Sequence, residues 1–423
     1  MAQSNIIPQG YKDSPLGMIP EGWEVKKLGE TGELTSSKRV YASDYVSEGI
    51  PFYRGKEISG IKRGDKIDDL LYIAEEAYAS FKKEFGAPQK GDILITAVGP
   101  IGNVLRIKDD NPFYFKDGNL IWIKNISDDS SFLEYLLSYE KKSIESTAIG
   151  SSQKALTIIA LNKLKLILPP LPEQQKIAEI LSVWDEAIEK QTQLIVRLET
   201  RKRGLMQQLL TGKKRVKGFK GKWEKVRIED IGEISSAGVD KKIVEGENPI
   251  RLLNYLDVYR NDFIYSKDLN HWVTASDDKM KKCSVKKGDI FFTPSSEVPN
   301  DIGISAIVME DMCDVVYSYH VVRLRLNEDW DLKYRAYAFK TDEFFKQAET
   351  CCDGSGQRYV ISQSNFRKMT IKVPPIEEQT AIANILSAAD SEITLAKQKL
   401  ANLKEQKKGL MQVLLTGKKR VKI

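Results

Sequence analysis

The chain repeats itself at a distance of 205 residues. Residues 169–217 and 374–422 overlay without a gap, and 27 of the 49 positions are identical. Both copies open on a proline pair (Pro169-Pro170, Pro374-Pro375) and continue into Glu-Gln (Glu173-Gln174, Glu378-Gln379). Both close on Gly-Leu-Met-Gln, one variable residue, then Leu-Leu-Thr-Gly-Lys-Lys-Arg-Val-Lys. A repeat of this length constrains the fold more than composition does, because whatever structure suits one copy must suit the other.

Each copy has the pattern of one long helix. In the first, apolar residues fall at Ile177, Leu181, Trp184, Ile188, Ile195, Leu198, Leu205 and Leu209, with Gln191 and Lys202 in the two gaps. The second gives Ile382, Leu386, Ala389, Ile393, Ala396, Leu400, Leu403, Leu410 and Leu414, with Lys407 as its polar interruption. Steps of four and three sustained over about five heptads are the signature of a coiled coil. Proline is tolerated at a helix start, and Thr-Gly (Thr211-Gly212, Thr416-Gly417) supplies a stop, with basic residues beside the negative end of the dipole. About 40 residues would make a rod of roughly 60 Å. A lone amphipathic helix on a globular core would look similar, but two matching seams in one chain favour pairing with each other, antiparallel. Trp184, a large aromatic at a seam position, is expected to be buried between the helices or between helix and a partner.

The stretches between the repeats echo one another more faintly. Residues 1–168 form a first globular unit and residues 218–373 a second. Trp23-Glu24 matches Trp223-Glu224, and Gly32-Glu33 matches Gly232-Glu233. Lys90-Gly91-Asp92-Ile93 matches Lys287-Gly288-Asp289-Ile290, each with a threonine three residues on (Thr96, Thr293). Short β-type runs such as Ile93-Leu94-Ile95-Thr96 and Leu120-Ile121-Trp122-Ile123 alternate with Gly, Asp and Asn turns. A helix is predicted over residues 132–144, with a counterpart near 332–345. Ser151-Ser152-Gln153-Lys154 parallels Ser355-Gly356-Gln357-Arg358, shortly before each proline pair. The expected fold is α+β: two similar mixed α/β domains separated by two long antiparallel coiled-coil helices (169–217 and 374–423), pseudo-twofold symmetric. The globules share a framework and differ in content, and variable loops on a fixed scaffold carry recognition.

Catalytic chemistry finds little support. Asn111-Pro112-Phe113-Tyr114 approximates the Asn-Pro-Pro-Tyr of amino-methyltransferases but lacks the second proline. Gly99-Pro100-Ile101-Gly102 leads into Val104-Leu105-Arg106-Ile107, which looks like a strand, whereas a cofactor loop leads into a helix. Asp68-Asp69 and Asp109-Asp110 lack the companions of a metal-assisted nuclease and fit solvated turns. Thr-Gly-Lys-Lys lacks the flanking residues of a phosphate loop. With His271 and His320 as the only histidines, and Cys283, Cys313, Cys351 and Cys352 at no metal-binding spacing, no metal site is expected. The thiols suit a reducing cytoplasm. No apolar run reaches the eighteen or so residues of a membrane span, and the start lacks the pattern of a secretion signal. The net charge of +6 is compatible with nucleic acid without requiring it.

The order of these motifs resembles that of type I restriction-modification specificity subunits, over essentially the whole chain. The carriers are residues 15–23 from Pro15 to Trp23, Lys90-Gly91-Asp92-Ile93, both Pro-Pro…Glu-Gln helix starts and both Gly-Leu-Met-Gln…Leu-Leu-Thr-Gly helix ends. The resemblance implies a protein without catalysis of its own. It further implies two target-recognition domains, each reading half of a bipartite site in double-stranded DNA, and helices that act as spacer and dock two methyltransferase subunits. Restriction subunits would add cleavage. No cofactor is expected on this chain; S-adenosylmethionine, and ATP with Mg²⁺, would belong to the partners.

For DNA contact the candidates combine basic or amide side chains with turn residues. They are Ser36, Lys38, Arg39, Arg54, Lys56, Gln153 and Lys154 in the first globule, and Lys241, Lys242, Asn254, Tyr255, Gln357, Arg358 and Tyr359 in the second. The rival from another class is a non-catalytic coiled-coil scaffold joining two protein-binding domains. It accounts for the duplication and the helices but not for the matching Gln-Lys and Gln-Arg loops beside the helix starts. A fragment of residues 1–217 keeps an apolar seam without its partner. It is expected to pair with a second copy, which its mass in solution would reveal.

Overall fold

The computed structural model describes residues 8–151 and 154–423. Two 39-residue helices, Leu171–Leu209 and Ile376–Leu414, form from the two copies of the repeat. Each begins directly behind its proline pair. The amides of Glu173 and Gln174 turn back to the Pro170 carbonyl, and those of Glu378 and Gln379 to Pro375. Each helix ends the same way. The Thr211 and Thr416 hydroxyls donate to the carbonyls of Gln207 and Gln412 at 2.6 Å. Gly212 and Gly417 then take the left-handed conformation, at φ 70° and 71°. Space also demands glycine at Gly417, because a Cβ there would lie 2.6 Å from the Pro20 ring.

Compactness divides the chain across these helices rather than at their ends. The first unit comprises residues 1–191 and 399–423, the second residues 192–398. Each therefore holds one globule, the first half of the long helix that follows it, and the second half of the other. Within each unit the half-helices run antiparallel. In the first, Glu173 meets Arg420 and Asp185 meets Lys407. In the second, Glu199, Arg201, Lys202 and Arg215 meet Lys397, Glu392, Asp390 and Glu378.

The seam is buried where a globule backs it. Ile177, Leu181, Ile195, Leu198 and Leu209 are buried, as are Ile382, Leu386, Ala389, Ile393, Ala396 and Leu414. Ile188, Leu205, Leu400, Leu403 and Leu410 are half-buried, because two helices alone cannot close over every seam position. Trp184 is also half-buried within the chain, which leaves part of the indole for a partner to cover.

The two globules share a frame. In the first unit an antiparallel sheet runs Glu33–Thr35, Leu120–Lys124, Ile93–Thr96, Val104–Arg106. In the second the order is Gly232–Ser235, Val322–Leu326, Ile290–Phe292, Ser305–Val308, with Phe263–Ile264 added at the edge. The repeated Lys-Gly-Asp-Ile stretch is a turn that feeds this sheet. Its aspartate (Asp92, Asp289) accepts from the amide three residues back, at 2.9 and 2.8 Å. The following threonine (Thr96, Thr293) accepts from the amides of Asn103 and Ile304 on the next connection. A second sheet in each unit includes a parallel pair, Ile50–Tyr53 with Tyr114–Phe115 and Asn248–Leu253 with Met312–Tyr317. The single helix predicted over 132–144 is two helices, Ser130–Tyr139 and Lys141–Ser146, broken at Glu140. Its counterpart is also two, Leu332–Tyr337 and Asp342–Cys351; there Thr341 caps the second by accepting from the Phe344 amide.

The helices are part of each core rather than appended to it. Ile177, Leu181, Leu414 and Leu415 pack in one cluster with Trp23, Ile93, Leu133 and Leu166. Leu209, Leu210, Ile382 and Leu386 do the same with Ile228, Ile290, Tyr334 and Phe366. Three polar anchors recur in both units. The fully buried carboxylate of Glu173 accepts from the Trp23 indole at 3.1 Å and from Arg420 at 2.7 Å. Glu378 accepts from Trp223 at 3.0 Å and from Arg215 at 2.5 Å. Gln174 accepts from the Asp129 amide and donates to the Pro169 carbonyl; Gln379 does so with Asp331 and Pro374. Asp185 accepts from Tyr135 and Lys407, and Asp390 from Tyr337 and Lys202. The lysines that interrupt the seam are therefore its polar latches. In the first unit Tyr11 also donates to the Gly417 carbonyl at 2.9 Å, so the early and late segments of the chain meet there.

Replacing Glu173 by alanine leaves the buried Trp23 N–H without its acceptor. The expected cost is roughly 1–3 kcal/mol, seen as a lower urea midpoint. Glu173→Gln, which keeps an acceptor, should lose less, and equal losses for the two variants would contradict this role.

Candidate nucleic-acid interface

The first unit brings several of its candidates to one surface and engages most of them internally. The Ser36 hydroxyl donates to the Leu120 carbonyl at 3.3 Å and accepts from the Gly118 amide. The Lys38 amide donates to the Tyr114 hydroxyl, while its ammonium lies 4.9 Å from the Phe85 ring centre. Arg39 is paired with Asp117 at 2.9 Å. Arg54 forks onto the buried Glu57 at 2.7 Å, and Lys56 reaches Asp69 at 3.1 Å. Burial raises the pKa of the Tyr45 hydroxyl, which feels both Arg54 and Asp117, so these groups share a neighbourhood. Lys154 is exposed, and Gln153 lies outside the described residues.

The second unit arranges its candidates differently. Asn254 caps the helix Tyr255–Arg260, its side chain accepting from the Tyr255 amide. Arg54 occupies the matching place in the first unit: both backbone amides donate to an acidic residue three positions on, Glu57 and Asp257. Tyr255 stacks on Tyr259, with ring centres 5.8 Å apart and planes 16° apart. Their hydroxyls donate to the Ser295 carbonyl at 3.0 Å and to Asp301 at 2.6 Å. Gln357 and Arg358 line a groove of about 430 Å³ together with this pair, Ser295, Ser296, Glu297, Val298 and Asp301. Tyr359 is half-buried against the core.

Lys241 and Lys242 are exposed, and no ion pair engages either among the described residues. Burial first, then the positive charges of Lys241 and Arg358, hold the His320 imidazole below its usual pKa. Lys241 and Arg358 thus both lie near His320. The Lys241 and His271 charges also reach Asp257 at the start of the tyrosine helix. Tyr259, Glu297, Asp301 and His320 are not among the sequence candidates for DNA contact. The Tyr255–Tyr259 spacing of four, which puts two rings on one helical face, is the signal that could have found the first.

Phe113 and Tyr114 of the Asn-Pro-Phe-Tyr stretch are buried, with Phe113 packed against Tyr53. Among the described residues no group of His, Cys, Asp and Glu could hold a metal ion. No described helix is long and apolar enough to cross a membrane.

A family model for the type I restriction modification DNA specificity domain matches the chain twice, over residues 20–200 and 220–405. The putative type I restriction enzyme MjaX specificity subunit of Methanocaldococcus jannaschii is 27% identical over 446 residues, covering 98% of this chain and 97% of that one. The type I restriction enzyme MjaVIII specificity subunit of the same organism is 27% identical, covering 99% of each. The fold is similar to that of the S subunit of a type I restriction-modification system from M. genitalium, with TM-score 0.52 and 15% identity over 93% of this chain and 96% of that one. A chain from a type I R-M system solved to explain complex assembly and conformational transition gives TM-score 0.61 and 16% identity, over 94% and 99%.

Replacing Lys241 and Lys242 together by alanine is expected to weaken DNA binding by a similar factor for any sequence. The slope of log affinity against log salt should become shallower by about one for each phosphate that these lysines neutralise. A salt series on wild type and variant measures this; an unchanged slope would exclude phosphate contact by these lysines.

Proposed function

The chain belongs to the type I restriction-modification DNA specificity family, and we propose that each of its two units reads one half of a bipartite site in double-stranded DNA. It is the sequence-specific DNA-recognition subunit of such a system and carries no catalysis itself. The observation that carries the two-reader proposal is the recurrence of the same three anchors around two different surfaces. Glu173, Gln174 and Asp185 are used as Glu378, Gln379 and Asp390 are. The faces that hold the candidates differ. The first unit presents ion-paired guanidiniums, and the second a tyrosine-walled groove with an arginine that no described carboxylate engages. A repeated frame with unlike faces suits two unlike half-sites.

The long helices are proposed to dock two methyltransferase subunits, and restriction subunits where the system includes them. Supporting this are apolar side chains that point away from the seam. Val183, Leu194 and Val196 are exposed on the first helix, and Ile385 and Leu395 on the second, Leu395 by 65%. The half-buried Trp184 adds to this set. Exposed apolar groups on otherwise polar helices suit a protein partner better than water. S-adenosylmethionine, and ATP with Mg²⁺, would be bound by those partners, in the cytoplasm where the DNA is.

Exchanging residues 1–168 for the same region of a relative, with the methyltransferase co-expressed, should change one half of the methylated motif and leave the other intact. Methylome sequencing reads the outcome. A change in both halves would contradict the division of labour.

A further inference from the structure

We infer that the turn at Gly356-Gln357 is a base-reading tip for the half-site of the second unit, with Arg358 taking a guanine edge and Gln357 an adjacent base in the major groove; this rests on the DNA-recognition reading above. The tip is built to be rigid. Strands Cys352–Ser355 and Arg358–Ile361 pair antiparallel with Ser355 opposite Arg358, which leaves Gly356 and Gln357 as a two-residue loop. Gly356 has φ 69°, and Gln357 does not share the positive φ. A glycine first in such a loop marks the turn type whose twist matches the flanking strands. Gly354 tightens the ribbon further: a Cβ there would lie 2.2 Å from the Arg358 carbonyl oxygen. The strand Ser295–Ser296 braces the far edge by pairing with Val360 and Tyr359, so the turn extends beyond a three-stranded base. Rigid placement lowers the ordering cost of binding.

Alternation along the second strand then decides which side chains are presented. Tyr359 and Ile361 turn to the core, while Arg358 and Val360 are exposed. Arg358 and Gln357 have no side-chain hydrogen bond or ion pair among the described residues, unlike Arg39 and Arg54 in the first unit. The groove they face also holds Glu297 and Asp301. A phosphate entering it would be repelled by two carboxylates, whereas a base edge carries no net charge, and a carboxylate can accept from a cytosine amine. Phosphate falls instead to Lys241 and Lys242. The guanidinium fork matches guanine O6 and N7, the amide matches adenine N6 and N7, and the major groove admits a β-ribbon. At the corresponding place of the first unit, Ile149 and Ala155 form an antiparallel bridge among the described residues.

The test uses the full chain assembled with its methyltransferase, methylome sequencing, and binding to duplexes varied one position at a time. If wild type directs no sequence-specific methylation, the DNA-recognition reading itself fails. Given a wild-type motif, Arg358→Ala should relax one position of a single half-site, lowering discrimination there roughly tenfold to a hundredfold. Arg358→Lys should not restore it, since an ammonium lacks the fork. Gln357→Ala should relax a neighbouring position. An unchanged motif in Arg358→Ala would overturn the inference. So would a uniform loss of affinity regained by Arg358→Lys, which is the behaviour of a phosphate-binding residue.

Discussion

A carboxylate buried at the start of each long helix is the interaction on which the rest depends. Left alone, Glu173 and Glu378 would be costly to bury; each is tolerable because an indole N–H and a guanidinium are aimed at it. Each bond recruits a different part of the chain. The tryptophan comes from the segment leading into the globule, the carboxylate from the helix that leaves it, and the arginine from the tail of the other helix. One buried charge thus ties three remote segments in the first unit; in the second, Glu378 is tied to Arg215 and Trp223, which lie close together in sequence but far from it. The identity between the repeats follows. Identical positions gather where these bonds and the apolar floor beneath them are made: the proline pairs, Glu-Gln, Ile177 and Ile382, Leu181 and Leu386, Asp185 and Asp390, Lys202 and Lys407, and the Thr-Gly-Lys-Lys-Arg ends.

The same logic explains what differs. Surface positions outside the anchors are free to diverge, and the two units use their charges in opposite ways. In the first, Arg39 and Arg54 are spent on Asp117 and Glu57. In the second, Lys241, Lys242 and Arg358 have no ion pair among the described residues, and a tyrosine pair is fixed through its hydroxyls. Catalysis needs reacting groups held in one arrangement, whereas recognition needs a frame that tolerates change at its face.

Much of the frame was legible in the sequence, because a heptad seam and a repeated tetrapeptide are local patterns. The helix starts at the proline pairs, the glycine stops, the strands Ile93–Thr96 and Leu120–Lys124, and the apolar seam could all be read directly. How much of Trp184 the chain itself covers could not, because that depends on which residues face it across the seam. Lys202 and Lys407 looked like interruptions because their partners, Asp390 and Asp185, lie on the other helix and can be matched only once the antiparallel register is known. The breaks at Glu140 and before Thr341 were hidden by a continuous helical pattern. At the candidate interface, composition pointed to Arg54 and Arg358 alike. Arg54 pairs with Glu57 three residues on, a local spacing that the sequence does record. That Arg358 meets no carboxylate among the described residues depends on its tertiary neighbours, which no spacing records.

The central claim is that one frame, used twice, carries two independent readers. Methylome sequencing of cells that express the intact chain with its methyltransferase tests it most directly. The account predicts one motif made of two unlike short words separated by a fixed number of unread base pairs. A single continuous word, or methylation without sequence preference, would contradict it.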